Sequence, residues 1–365
     1  MGSTWRIATI FGIPIRLHWT LGLFFLFFIW LAFREALSIP SVSLLLGFII
    51  SLYICILLHE FGHSLTAKRY GVKTRDIILS PIGGLARLES IPENPFQEFK
   101  VAINGPLVNL AIASILAAIL YISEMPFIVE IINGVVRIDS SNFLQWLMYM
   151  NVGVFLFNLI PAFPMDGGRI LRSLLSLKMN RTRATFWASI LGKFFAVGFV
   201  VYALYAGYFM LIIIGPFIYL MAGQEYRQVK LSEIMKATQL SSIVRSPFTK
   251  VYQEDEISNF IKMASKSEEA SFLVYDKEEN ITGSLPELFV EEILKNPNNY
   301  MQIKDIKSEN FKILDASANI DHAFKIMKEE GLAIVGILDK EKVVGVVDRT
   351  TISKFIFNNS KRGFF

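Results

Sequence analysis

Apolar runs of membrane-crossing length dominate the first two thirds of the sequence. They occupy residues 18–33, 42–66, 99–122, 143–161, 187–206 and 208–222. A hydrocarbon core of about 30 Å takes roughly 20 apolar residues as helix, because only a helix satisfies its own backbone polar groups there. Six spans are therefore expected, the last two joined by a tight turn at Ala206–Gly207. No small-residue cleavage site ends the first run, so it reads as a retained span rather than a cleaved leader.

Charge divides the chain. Residues 1–230 hold 18 Lys/Arg against 11 Asp/Glu, whereas residues 231–365 hold 18 against 21. The apolar, basic part ends in GQEYRQVK, and the remainder of the chain reads as a soluble acidic domain. Cys55 is the only cysteine, which excludes a disulfide scaffold, and no long basic run points to nucleic acid. Placed on six spans, one side collects most of the cations, among them Arg6, Arg16, Lys68, Arg69, Lys73, Arg75, Arg169, Arg172 and Arg181. The other side has Arg34 and Arg137. Basic loops stay cytoplasmic, so both termini are expected in the cytoplasm.

The second run carries charge where an apolar span should not: SLYICILLHEFGHSLTAKRYG places His59, Glu60 and His63 at its C-terminal end. Ionisable groups at membrane depth are costly unless paired or metal-bound. His59 and His63, four residues apart, share one helical face and supply half of a zinc site. Glu60 can act as general base toward water acidified by the metal. The competing reading, a chance HExxH with packed histidines, leaves three polar groups of an apolar helix unexplained.

A catalytic zinc takes a third protein ligand, and Asp166 is the best acidic candidate in the membrane part. It lies in NLIPAFPMDGGRIL, after the fourth run, where Pro161, Pro164, Gly167 and Gly168 permit a broken backbone. The competing role for Asp166 is to cap the helix beginning at GGRILRSLL, and ligation and capping are compatible.

HEFGH on one span with NxxPxxPxDGG after another resembles the site-2 protease family of intramembrane zinc metalloproteases, across residues 1–223. The resemblance implies a polytopic α-helical membrane fold with a short membrane-associated β-hairpin. It also implies zinc on His59, His63 and Asp166, Glu60 as general base, and Asn158 near the reacting carbonyl. A polar helix–helix contact is the alternative for Asn158. DIILSPIGGLARLE at 76–89 resembles the family's hairpin, whose edge would pair with an unwound substrate strand. NGPLVNLAIAS spaces Gly105, Asn109 and Ala113 for close helix packing, with Asn109 read as structural. Cys55, one turn before His59, reads as a packing residue.

The tail is an internal repeat at an offset of about 63: residues 257–285 match 320–347, pairing Phe260 with Phe324, Met263 with Met327, Asp276 with Asp339 and Gly283 with Gly345. A duplicated βαββα unit, opened by LSEIM at 231–235, resembles a tandem CBS pair. The expected division is a protease domain at 1–223, a linker at 224–230 and a CBS domain at 231–365. Such pairs bind adenine nucleotides, but GSLPELF and GVVDRTT lack the usual ribose-binding acid. Asp348 stands at the hydroxyl position and Thr351 at the acidic one. Homodimerisation through the tail and conformational coupling are alternatives.

The expected function is zinc-dependent cleavage of transmembrane or membrane-anchored proteins, with the CBS pair regulatory. The alternatives from other classes are a CBS-regulated transporter and a catalytically silent membrane chaperone of the same fold. No inverted pair of broken helices supports the first, and the intact Glu60 argues against the second. HExxH proteases with a downstream glutamate ligand are disfavoured by Asp166–Gly167.

Overall fold

The computed structural model describes residues 4–128, 138–267, 269–295 and 302–361. Arg137, one of the two cations expected on the far side of the membrane, lies outside them. The chain forms two compact units, residues 1–226 and 227–365.

The first unit opens with a β-hairpin of β1 (Thr4–Ile10) and β2 (Ile13–His18). Its two turn residues, Phe11 and Gly12, both have positive φ, the geometry that suits the right-handed twist of a two-residue hairpin. By charge alone, with Arg6 and Arg16, this segment counts as a loop. Its signal is the alternation of IPIRLH, which buries Ile13 and Ile15 while Arg16 stays half-exposed.

Next come α1 (Trp19–Arg34) and α2 (Ile39–Arg69), which is capped by Ser38 and begins with Pro40 in its first turn. At 1.5 Å per residue, the 31 residues of α2 run about 46 Å, more than a hydrocarbon core requires. β3 (Thr74–Ser80) and β4 (Gly83–Leu88) then form the expected hairpin. It does not stand alone. β2 adds to β3 in parallel, giving a four-stranded sheet in the order β1-β2-β3-β4. Buried Asp76 of β3 ties the sheet laterally, paired to Arg16 of β2 at 3.1 Å and to Arg87 of β4. β4 is left as an edge strand.

The helices that follow are α3 (Pro95–Ile122), α4 (Phe143–Leu159), α5 (Asp166–Leu175), α6 (Arg181–Ala206) and α7 (Phe209–Ala237), the last running past residue 226 where this unit ends. Gly207, at φ 76°, ends α6 in the left-handed conformation and permits the short turn into α7. Among the described residues, α2, α3, α6 and α7 are long and apolar enough to cross a membrane. α1 and α4 coincide with expected spans but reach only 16 and 17 residues. Helix α4 stops where the proline-containing segment 160–165 begins.

Helix α7 runs on through LSEIM, so residues 224–230, expected as a linker, are helical. In the second unit, β5 (Lys250–Tyr252), α8 (Ile257–Ala264), β6 (Phe272–Tyr275), β7 (Ile281–Leu285) and α9 (Glu287–Lys295) form one βαββα module. β8 (Ile313–Asp315), α10 (Ile320–Glu329), β9 (Ile334–Asp339), β10 (Lys342–Asp348) and α11 (Arg349–Lys361) form the other. Both sheets have the same order, one parallel and one antiparallel pair each. Antiparallel bridges Arg245↔Val346 and Ser284↔Ser308 join each module's opening segment to the last strand of the other.

The helices repeat at an offset of 63: Ile257, Phe260 and Ala264 are buried in α8, and Ile320, Ala323 and Met327 in α10. Phe260 therefore matches Ala323. Phe324, paired with it from the sequence, is one residue off the core face and 38% exposed. The same correction moves Met327 opposite Ala264. A single residue fewer between the last two strands of the second module restores Gly283 opposite Gly345, each set against the middle strand of its sheet.

Candidate metal centre

Three side chains from two distant segments converge inside the first unit. His59 Nε2 and His63 Nε2 are 3.0 Å apart, and Asp166 Oδ2 lies 3.2 Å from the first and 3.1 Å from the second. All three residues are buried. No other group of His, Cys, Asp and Glu with this spacing occurs among the described residues.

The ring orientations in this triad are set by their surroundings. His63 Nδ1 is 2.8 Å from the Val101 carbonyl, which can only accept, so Nδ1 donates there and Nε2 is the nitrogen turned toward the triad. His59 Nδ1 is 2.6 Å from Asn109 Oδ1. The orientation of that amide is set by a chain: Asn109 Nδ2 donates to Asn151 Oδ1 at 2.9 Å, and Asn151 Nδ2 donates to the Leu147 carbonyl at 2.8 Å. The oxygen of Asn109 must then face His59, so Nδ1 of His59 is a donor as well and its Nε2 faces the triad. Two imidazole nitrogens and a carboxylate oxygen thus face one another, each able to offer a lone pair. A cation resolves that arrangement. Tetrahedral zinc with ligands at about 2.0–2.1 Å separates neighbouring donor atoms by roughly 3.3 Å, close to the spacings observed.

Glycines make the convergence possible. A Cβ on Gly62 would stand 2.5 Å from the Asn104 carbonyl, and one on Gly105 would stand 2.1 Å from His63 Nε2. Close approach of α2 and α3 at these two points lets His63 reach Val101 and His59 reach Asn109. The segment 160–165 is packed as tightly: Ala162 and Phe163 are fully buried, and the Phe163–Pro164 peptide is cis. Gly167 and Gly168 lie in the first turn of α5, where Cβ atoms would strike the backbone of residues 159–163. Asp166 occupies the first turn of α5, but Met165 is the N-cap and no side chain caps the helix. Its carboxylate goes to the histidines instead.

Glu60 sits beside this cluster, with Oε2 accepting from the Ala86 amide of β4 at 2.8 Å. Asn158 is not gathered into the triad's hydrogen bonds; its amide donates to the Val154 carbonyl of its own helix at 3.0 Å. Asn109, read from the sequence as packing, instead orients a histidine. Cys55 packs in the apolar cluster of Phe48 and Leu116, and its sulfur lies 3.4 Å from Asn151 Nδ2.

Another buried cluster has no counterpart in the sequence reading. Fully buried Arg172 of α5 pairs with Glu98 of α3 at 2.5 Å and Glu225 of α7 at 2.5 Å, while Arg181 of α6 reaches Glu98 at 3.2 Å. The Arg172 guanidinium also lies 5.1 Å from the Phe163 ring. In the sequence these arginines count only as loop charges. Their partners lie 74 and 53 residues away from Arg172, so no local pattern announces them.

In the second unit, both carboxylate oxygens of Asp348 are engaged internally. Oδ1 accepts from the Thr351 amide at 2.7 Å and hydroxyl at 2.8 Å, and Oδ2 from Arg245 at 3.0 Å.

Comparison with known proteins gives two family matches: peptidase family M50 over residues 47–200 and the CBS domain over 303–358. A zinc metalloprotease of Methanocaldococcus jannaschii is 32% identical over 350 residues, covering 94% of this chain and 96% of that protein. Stage IV sporulation protein FB of Bacillus subtilis is 27% identical over 150 residues, 40% of this chain and 47% of its own length. Among solved structures, the Site-2 Protease from Methanocaldococcus jannaschii is 38% identical and covers 61% of this chain and 95% of its own, with a TM-score of 0.45.

Proposed function

The chain belongs to peptidase family M50, the site-2 zinc metalloproteases, and carries a C-terminal CBS pair; on that premise we propose that it cuts transmembrane or membrane-anchored proteins in regulated intramembrane proteolysis. It is a membrane protein and a metalloendopeptidase. The observation that carries the assignment of its site is the convergence of His59 Nε2, His63 Nε2 and Asp166 Oδ2 within 3.2 Å of one another.

His59, His63 and Asp166 would hold zinc, which when bound supplies Lewis acidity for the scissile carbonyl and acidifies water. The Val101 carbonyl and the Asn109–Asn151 chain keep both imidazoles in the binding tautomer. Glu60 would take the proton from attacking water and return it to the leaving amine. Asn158 would turn from Val154 toward the substrate backbone or the developing oxyanion when substrate is present. Substrate would unwind locally and add to the edge of β4, because peptide bonds inside a helix are sheltered by their own hydrogen bonds.

We assign six spans with both termini cytoplasmic, an active site near the cytoplasmic leaflet, and a division into 1–223, 224–230 and 231–365. The cations at the end of α2 and on α5, among them Lys68 and Arg169, support this orientation. The CBS pair would couple cleavage to a cytoplasmic state and offer a surface for homodimerisation. An adenine nucleotide is the effector class of the fold. With Asp348 committed to Thr351 and Arg245, no acid is left there for a ribose, so conformational coupling is the role we favour.

The test is metal content measured beside cleavage of a transmembrane substrate. Near one zinc per chain is expected for the wild type and Glu60→Gln, less for Asp166→Ala, and no cleavage by either variant. Zinc-free wild type, or undiminished cleavage by Glu60→Gln, would overturn the assignment.

A further inference from the structure

The hydrogen bond between Glu60 and Ala86 joins two parts of the site that otherwise have separate roles. Ala86 lies on β4 opposite Ile77 of β3, and β4 is the outer strand of its sheet. In an antiparallel pair, alternate residues turn their N–H and C=O away from the partner strand. An amide that donates to Glu60 is one of these outward groups, and strand parity gives Gly84 the same orientation. The edge of β4 therefore faces the carboxylate next in sequence to His59.

Gly84 permits the approach. A Cβ at that position would stand 2.7 Å from Glu60 Cγ and 2.9 Å from Ile56 Cγ2. Helix α2 thus lies close against the edge that an extended peptide would use, and Glu60 occupies one of its donors. A backbone carbonyl of a docking strand and the Glu60 carboxylate are both acceptors seeking the same N–H.

We infer that the Ala86 amide is a shared donor: Glu60 holds it in the resting enzyme, and an unwound substrate strand takes it on docking. The amide is then a substrate-positioning group, and docking frees Glu60 as the strand is aligned beside it. No covalent bond changes in this exchange; one hydrogen-bond acceptor replaces another. The inference rests on the reading that substrates add as a strand to β4, and it goes further by making that addition the event that releases the base.

Equilibrium binding of an intact, fluorescently labelled transmembrane substrate to zinc-loaded, full-length variants tests it. Glu60→Gln keeps an acceptor for Ala86 and Glu60→Ala removes it, and neither should cleave. Glu60→Ala is expected to bind substrate about two- to tenfold more tightly, the range set by one net hydrogen bond. Adding Ala86→Pro, tolerable on an edge strand, should abolish the difference and weaken binding below that of Glu60→Ala. Equal binding by the two Glu60 variants, with Ala86→Pro weakening both, would overturn the shared donor and leave strand docking standing. Indifference of both variants to Ala86→Pro would overturn the docking reading, and the inference with it. Zinc content close to wild type certifies each variant's site, and the Glu60 comparison stands without the proline variant if that one does not fold.

Discussion

Asn109 Oδ1 accepts a hydrogen bond from His59 Nδ1 at 2.6 Å, and the donor side of the same amide is spent on Asn151. The pair fixes both the ring orientation and the tautomer of one proposed metal ligand. Partners of this kind change metal affinity by about 10–100-fold when removed. Asn109→Ala should therefore lower zinc affinity by that order while Glu60 and Asp166 are untouched. Asn109→Asp, which keeps the acceptor, should retain most of it. Zinc competition titration distinguishes the two.

Gly105→Ala should be more damaging than its single methyl suggests. The added Cβ would stand 2.1 Å from His63 Nε2, so either the ring or helix α3 must move. Overpacking of this kind costs about 1–3 kcal/mol, and here it also displaces a ligand. Reduced zinc content with a lowered unfolding temperature is the expected result. Gly153→Ala, where nothing lies within 4 Å of the new Cβ, is the control.

Breaking the buried ion cluster should destabilise the first unit strongly. Arg172→Met leaves Glu98 buried with only Arg181, and loss of one member of a buried pair costs about 3–5 kcal/mol. Thermal unfolding in detergent should register it. Adding Glu98→Gln and Glu225→Gln to Arg172→Met should recover much of the loss, because the uncompensated charges go with it.

The regulatory role proposed for the tail predicts that truncation after Ala237 changes the rate of substrate cleavage while zinc content is retained. Equal rates with and without residues 238–365 would count against it. The same full-length protein should show no saturable binding of ATP, ADP or AMP, since Asp348 is already satisfied. Isothermal titration checks that directly.

What the sequence determined by itself is local. Apolar runs long enough to cross a bilayer announce helices because an isolated backbone has no other way to satisfy its polar groups there. The i, i+4 spacing of His59 and His63 places them on one face in any helix. Gly207 between two apolar runs marks a turn for the same kind of reason, and the period of the tail shows through because each copy repeats the same core pattern.

What only the tertiary structure decided is every relation between segments. Asp166 meets His63 across 103 residues, and Glu60 meets Ala86 across 26. Asn109 becomes a histidine's partner because Gly62 and Gly105 let two helices approach more closely than side chains would allow. Arg172, one more basic residue in the sequence, becomes a fully buried cation once Glu98 and Glu225 surround it. The β1–β2 hairpin acquires its function-bearing context only when β2 adds to β3, and Phe324 loses its pairing with Phe260 to a one-residue shift of helical phase. Local pattern fixes which face a residue occupies; packing alone fixes what that face meets.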